Sequence, residues 1–125
     1  MNESIRALVR QRAGNCCEYC QLPQDASPLA ALHIEHIIAR KHGGSDDPEN
    51  LALACIDCNL RKGPNLTGID TLTSQVTELF HPRRHRWDDH FAWSGVHVVA
   101  KAPIGRATLR VLDLNSEDQL ALRSS

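Results

Sequence analysis

The sequence predicts a small α+β fold, and three observations lead to it. Two Cys-x-x-Cys pairs, Cys17 with Cys20 and Cys55 with Cys58, bracket the middle of the chain. Between them lie two apolar stretches of strand length, residues 32–38 and 51–54, and short runs at helical spacing flank them. The chain of 125 residues is about the size of one domain, or of a small module with an extension. Aromatic residues make up only 4% of it. A core that small benefits from a staple, and the cysteines are placed to provide one. Residues 1–65 are expected to form the compact core, with residues 66–125 an extension packed on it.

Taken in order, Ser4 can cap a first helix whose apolar stripe is Ile5, Leu8 and Val9. Gly14 and Asn15 end it, and Cys17 to Cys20 make a tight knuckle. Pro23, Pro28 and the small polar residues between them form a loop. Residues 32–38 form a strand with Leu32, Ile34 and Ile37 turned inward. Residues 42–48 are dense in turn formers and read as a loop. Residues 51–54 are a short buried strand leading into Cys55, and residues 56–62 a short helix stopped by Gly63 and Pro64. Beyond residue 65, Ile69, Leu72, Val76 and Leu79 sit at helical spacing, which predicts an amphipathic helix over 70–80 broken at His81-Pro82. Phe91 to Trp93, a Ser94-Gly95 turn and residues 96–100 predict a hairpin. Residues 103–112 fit helix or strand and are assigned to helix. Ser116 to Gln119 is a capping box opening a last helix.

No apolar stretch approaches membrane length and Met1 is followed by no apolar signal segment, so the expected location is the cytoplasm, with no membrane partner. Thiols stay reduced there, and paired cysteines read as a metal site. Two knuckles can point four sulfurs at one centre, which is the tetrahedral set of a closed, structural zinc. Cys16 could compete with Cys17, but Cys17 has the better spacing to Cys20. A net charge of −1 gives no support to a nucleic-acid partner. Locally, positive charge gathers at Arg6, Arg10 and Arg12, at Arg40 and Lys41, at Arg61 and Lys62, and at Arg83, Arg84 and Arg86. Any one of these clusters can be simply a solvated face.

Between the knuckles run His33-Ile34-Glu35-His36-Ile37-Ile38, Gly43-Gly44-Ser45-Asp46 and Asn50-Leu51, followed by Cys55-Ile56-Asp57-Cys58-Asn59 and Lys62. This set, from Cys17 to Lys62, resembles the HNH endonuclease family, in the subgroup whose ββα-metal (His-Me finger) core is flanked by four zinc-binding cysteines. The resemblance implies a phosphodiester hydrolase with Mg²⁺ or Mn²⁺ as catalytic metal. His36 resembles the general base, Glu35 the acidic metal ligand, Asn59 the second ligand and Asn50 the asparagine that pins the loop. Glu35 stands where aspartate is commoner, and Asn59 where histidine is.

The chemistry suits these residue types. Histidine titrates near neutrality, and a hard cation on oxygen donors can neutralise a scissile phosphate. Glu35 and His36 are neighbours on an extended segment, so pleating would point them apart unless the chain bends there. His33 can be a third metal ligand, a phosphate contact or a hydrogen-bonded strand residue. Arg61 and Lys62 are expected to clamp neighbouring phosphates. Asp57 is a helix-start charge.

The stretch His81 to Phe91 is basic and aromatic, and it resembles an extension that follows the core in a bacterial subgroup of these nucleases. Its arginines Arg83, Arg84 and Arg86 can contact nucleic acid while Trp87 stacks or wedges. Alternatively, Trp87, Phe91 and Trp93 pack the hairpin and the arginines pair with acids. His81, His85 and His90 are a further candidate metal set. The leading function is a divalent-metal-dependent endonuclease that hydrolyses phosphodiester bonds in nucleic acid, with DNA the expected substrate. The alternative is a non-catalytic zinc-finger-like module binding nucleic acid or protein. A redox role for the cysteines fits poorly, because no thioredoxin-like βαβ pattern accompanies them.

Overall fold

A computed structural model of the protein describes residues 1–26 and 31–124, and the Pro28 end of the expected first loop lies outside the described residues. The chain divides into two compact units, residues 1–64 and 65–125.

In the first unit, α1 spans Glu3–Arg12. Its cap is Asn2, not Ser4: the Asn2 carboxamide oxygen accepts from the Ile5 amide at 2.9 Å. Asn2 is three residues before Ile5, where a cap reaches the first orphan amides, whereas Ser4 already lies inside the first turn. Of the expected stripe only Val9 is buried, while Leu8 is exposed. Gly14 and Asn15, both at positive φ, turn the chain out of the helix. Strand β1 (His33–His36) pairs antiparallel with β2 (Leu51–Ala54), His36 opposite Leu51 and His33 opposite Ala54. Helix α2 (Ile56–Lys62) follows at once, and α1 packs on β2 while α2 packs on β1. All four residues of β2 are buried.

β1 is shorter than residues 32–38, and its inward residue is not the one expected. Leu32 and Ile37 are buried at its two ends, but Ile34 is only half-buried and Glu35 is the strand residue turned inside. The ladder ends where Asn50 takes over: its backbone carbonyl accepts from Ile37 and its side-chain oxygen from the Ile38 amide.

In the second unit, the helix expected over residues 70–80 is absent. Its place is taken by a hairpin of β3 (Thr67–Ile69) and β4 (Val76–Glu78), with Ile69 opposite Val76. The reason is local. The Asp70 carboxylate accepts from the Leu72 amide and the Thr73 hydroxyl, and Ser74 sits at positive φ, an Asp/Thr/Ser turn that outcompetes helix. Arg106 holds the same carboxylate from across the unit at 2.6 Å. Of the supposed apolar stripe only Leu79 is buried; Leu72 and Val76 are each more than 70% exposed, at 74% and 72%. The short helix α3 (Trp87–His90) leads into the expected hairpin, β5 (Phe91–Ser94) and β6 (His97–Ala100), turned at Gly95. Residues 103–112 are helical, as α4 (Pro103–Val111). The capping box opens α5 (Glu117–Arg123), with the Ser116 hydroxyl accepting from the Gln119 amide. The core of this unit is Leu79, Phe80, Phe91, Val98, Ala107, Leu112 and Leu114.

Candidate active site and metal centre

Cys17, Cys20, Cys55 and Cys58 are buried, and their sulfurs all lie within 4.8 Å of one another. Four ligands on a zinc at about 2.3 Å stand roughly 3.8 Å apart, and the Cys20 and Cys55 sulfurs are 3.7 Å apart. The two knuckles are built alike: the Cys20 amide points at the Cys17 sulfur and the Cys58 amide at the Cys55 sulfur, each at 3.5 Å. Such amides favour thiolate over thiol. What brings the first knuckle to the second is Glu18, whose backbone amide donates to the Leu53 carbonyl and whose carboxylate accepts from the Leu53 amide. The first knuckle is thereby tied to β2, which runs directly into the second. The cluster is buried, closed and all-sulfur, which fits a structural zinc. Cys16 stays out of it, with its sulfur on the Gly14 carbonyl. Among the described residues no other group of three or more His, Cys, Asp or Glu converges in this way.

At the end of β1 the His36 ring is half-buried, and its Nε2 lies 2.7 Å from the Asp46 carboxylate. Arg40 reaches both oxygens of that carboxylate, at 2.8 and 3.0 Å. The His36 hydrogen bond is the largest of the influences that hold the Asp46 carboxyl below its ordinary pKa. Asn50 fixes the loop between them: its amide nitrogen donates to the Ile38 and Ser45 carbonyls at 3.0 and 2.8 Å. Gly44 completes the turn, because a Cβ there would stand 1.7 Å from the Ile38 carbonyl oxygen.

Glu35 is placed otherwise than a metal ligand beside His36 would be. The strand keeps its pleat, so the carboxylate points inward while the imidazole points out. Glu35 is 7% exposed, the Tyr19 hydroxyl donates to it, and the Lys62 ammonium stands 3.9 Å away. Burial pushes the Glu35 carboxyl up to about 7, against the lowering pull of Lys62 and of the Tyr19 hydrogen bond. Lys62, expected to clamp a phosphate, is 2% exposed and donates to the Ile37 carbonyl at 2.8 Å. Burial lowers its pKa, and Glu35 works in the other direction. The structure therefore brings His36, Asp46 and Asn50 together and directs Glu35 and Lys62 into the core. Asn59 and Arg61 are half-buried on α2. His33 is exposed at the start of β1.

In the second unit, Arg84 pairs with Glu78 at 2.7 Å, Arg86 is exposed and Arg83 is half-buried. The Trp87 ring packs 5.1 Å from Phe91 and 5.5 Å from Trp93, which is the packing alternative for these aromatics. His85 and His90 rings lie 5.2 Å apart, but His85 turns its Nε2 to Glu78. Sequence reasoning passed over Asp46 and Tyr19. Asp46 was hidden in a run of turn formers beside Asp47, and Asp47 caps the following turn. Tyr19 was hidden between two cysteines.

Residues 17–65 match the HNH endonuclease family model, and this segment is an HNH-family module. No curated protein and no solved structure was found to match the chain. No helix of the described residues is long and apolar enough to cross a membrane.

Proposed function

We propose that this HNH-family module is a divalent-metal-dependent endonuclease that hydrolyses phosphodiester bonds of nucleic acid, DNA in the first instance, with His36 as general base. The observation that supports it is the His36–Asp46 pair at 2.7 Å, on a loop braced by Asn50. A carboxylate on Nε2 favours the tautomer with its proton there, which leaves the Nδ1 lone pair to accept a proton from water. Arg40 holds the carboxylate in turn, so the imidazole is oriented before any substrate arrives. Asp46 is a positioning residue in this reading. Mg²⁺ or Mn²⁺, when bound, would neutralise charge on the scissile phosphate. Asn59, half-buried on α2, offers a carboxamide oxygen of the kind a hard cation accepts and would be one of its ligands.

The enclosure of Glu35 favours a second reading, a non-catalytic zinc-finger-like module that binds nucleic acid or protein. Plasmid nicking by the zinc-loaded protein separates the two. With Mg²⁺ or Mn²⁺ the parent is expected to nick. His36→Ala should slow it by about 10²- to 10⁴-fold without lowering the melting temperature. Asp46→Asn should cost about 10- to 100-fold. If the metal concentration for half-maximal rate is unchanged in Asp46→Asn, Asp46 orients the base; if it rises steeply, Asp46 is a ligand. A zinc-loaded parent that nicks nothing with any divalent cation would leave only the binding module.

A further inference from the structure

Between α1 and the start of β1 lies a cavity of about 290 Å³ lined by Arg6, Arg10, His33, Leu32 and Ile34, with Met1 and Ala31 at its edge. Among the described residues no acidic side chain lines it. We infer that this cavity is a phosphate subsite, which seats a backbone phosphate of the nucleic acid away from the cleaved bond. The inference rests on the nuclease reading for its ligand, but its geometry is independent of His36 and of the zinc site.

Two features support it. First, the donors come from two elements that meet here: the charge is on α1, and β1 adds an imidazole. Arg6 and Arg10 are one turn apart on α1, and His33 opens β1. Second, Arg10 is oriented: one guanidinium nitrogen donates to the Leu32 carbonyl at 3.2 Å, which fixes the fork at the rim of the cavity. A guanidinium has five N–H groups in a planar fork suited to phosphate, so one bond to a carbonyl leaves donors over. Among the described residues the Arg6 side chain pairs with Glu3, at 3.6 Å with both side chains largely exposed, a pair of little energy that an incoming phosphate can replace. Arg12, the third arginine of this helix, is different: it donates to the Leu51 carbonyl at 2.7 Å and acts as a brace.

The test uses zinc-loaded protein carrying His36→Ala, so that a fluorescein-labelled DNA duplex is bound and not cut. Arg6→Gln/Arg10→Gln is expected to weaken binding about tenfold at physiological salt. The slope of log K against log salt should become shallower by about one to two. The single Arg6→Gln, outside the Leu32 contact, should give part of the loss, and Arg110→Gln, at an exposed position on α4, should give none. Inorganic phosphate should move the His33 ring resonances, and should not do so in the double variant. If the duplex binds the double variant as it binds the parent, with the same salt slope, this inference fails while the nuclease reading stands. If the parent binds no duplex, both fail as statements about nucleic acid. A phosphate-induced His33 shift would then show only that the cavity takes the free anion.

Discussion

His36 owes its chemistry to neighbours that are small in number and specific in geometry. Its Nε2 meets Asp46, Asp46 meets Arg40, and Asn50 closes the loop with three hydrogen bonds to backbone. Gly44 is the residue on which that loop depends sterically. Gly44→Ala would drive a methyl to 1.7 Å from the Ile38 carbonyl oxygen, which is backbone and cannot step aside. The variant is expected to lose about 1–3 kcal/mol of stability. It should also lose nicking out of proportion to that loss, because His36 and Asp46 are no longer held together. Equilibrium unfolding alongside the nicking rate checks it, and a Gly44→Ala protein with parental stability and rate would contradict the account. Nothing in the letters Gly43-Gly44 showed which of the two needs to be glycine for want of space. Gly43 is needed for its φ of 86°, Gly44 for its neighbour.

Strand β1 shows how one element can serve a core and a site by alternation alone. Its outward residue is the imidazole, and its inward residue is a carboxylate held by Tyr19 and Lys62. Such a buried arrangement is costly to break, since removing one partner leaves the other enclosed without compensation. Burial raises the Glu35 carboxyl from 4.5 to about 7. The native state therefore binds the Glu35 proton more tightly than the unfolded chain does. The resulting stability is fully present below about pH 4.5 and is lost as pH rises through about 7. Glu35→Gln should flatten that part of the stability–pH curve, with the difference between variant and parent changing between pH 5 and 8. Denaturant unfolding at a series of pH values measures it. Parallel curves for the two proteins would show that Glu35 does not titrate in the folded state.

At the scale of the molecule, the two units differ in what holds them. The first has a small core around Val9, Tyr19, Leu32, Leu51 and Leu53 with the four-cysteine cluster at its edge; the second has an aromatic and aliphatic core and no such cluster among the described residues. A structural zinc contributes on the order of 10 kcal/mol, as much as a small domain's whole stability. Chelation, or Cys58→Ser, is therefore expected to unfold the first unit. The single tyrosine, Tyr19, lies in that unit, and both tryptophans, Trp87 and Trp93, lie in the other. Near-ultraviolet circular dichroism should accordingly lose the tyrosine signal and keep the tryptophan bands. Retention of both signals after complete zinc removal would mean that the cysteines are not a structural staple.

Much of the first unit could be read from residue order. Sulfur spacing, the apolar run of β2 and the Gly63-Pro64 stop are local signals, set by short-range geometry that the chain carries wherever it folds, whereas Asn50 was legible through the family resemblance. The capping box at Ser116 and the turn at Gly95 are of the same kind. Two things required the tertiary structure. The stretch from Asp70 to Glu78 has helical spacing of apolar residues, yet the Asp70 turn, held by Arg106 from α4, makes it a hairpin. And the direction in which Glu35, Lys62 and Asp46 face depends on partners far along the chain: Tyr19 encloses one carboxylate, while the Asn50 loop presents the other to His36. Periodicity states that a side chain lies on one face or the other; only the packed neighbours decide which face is the inside.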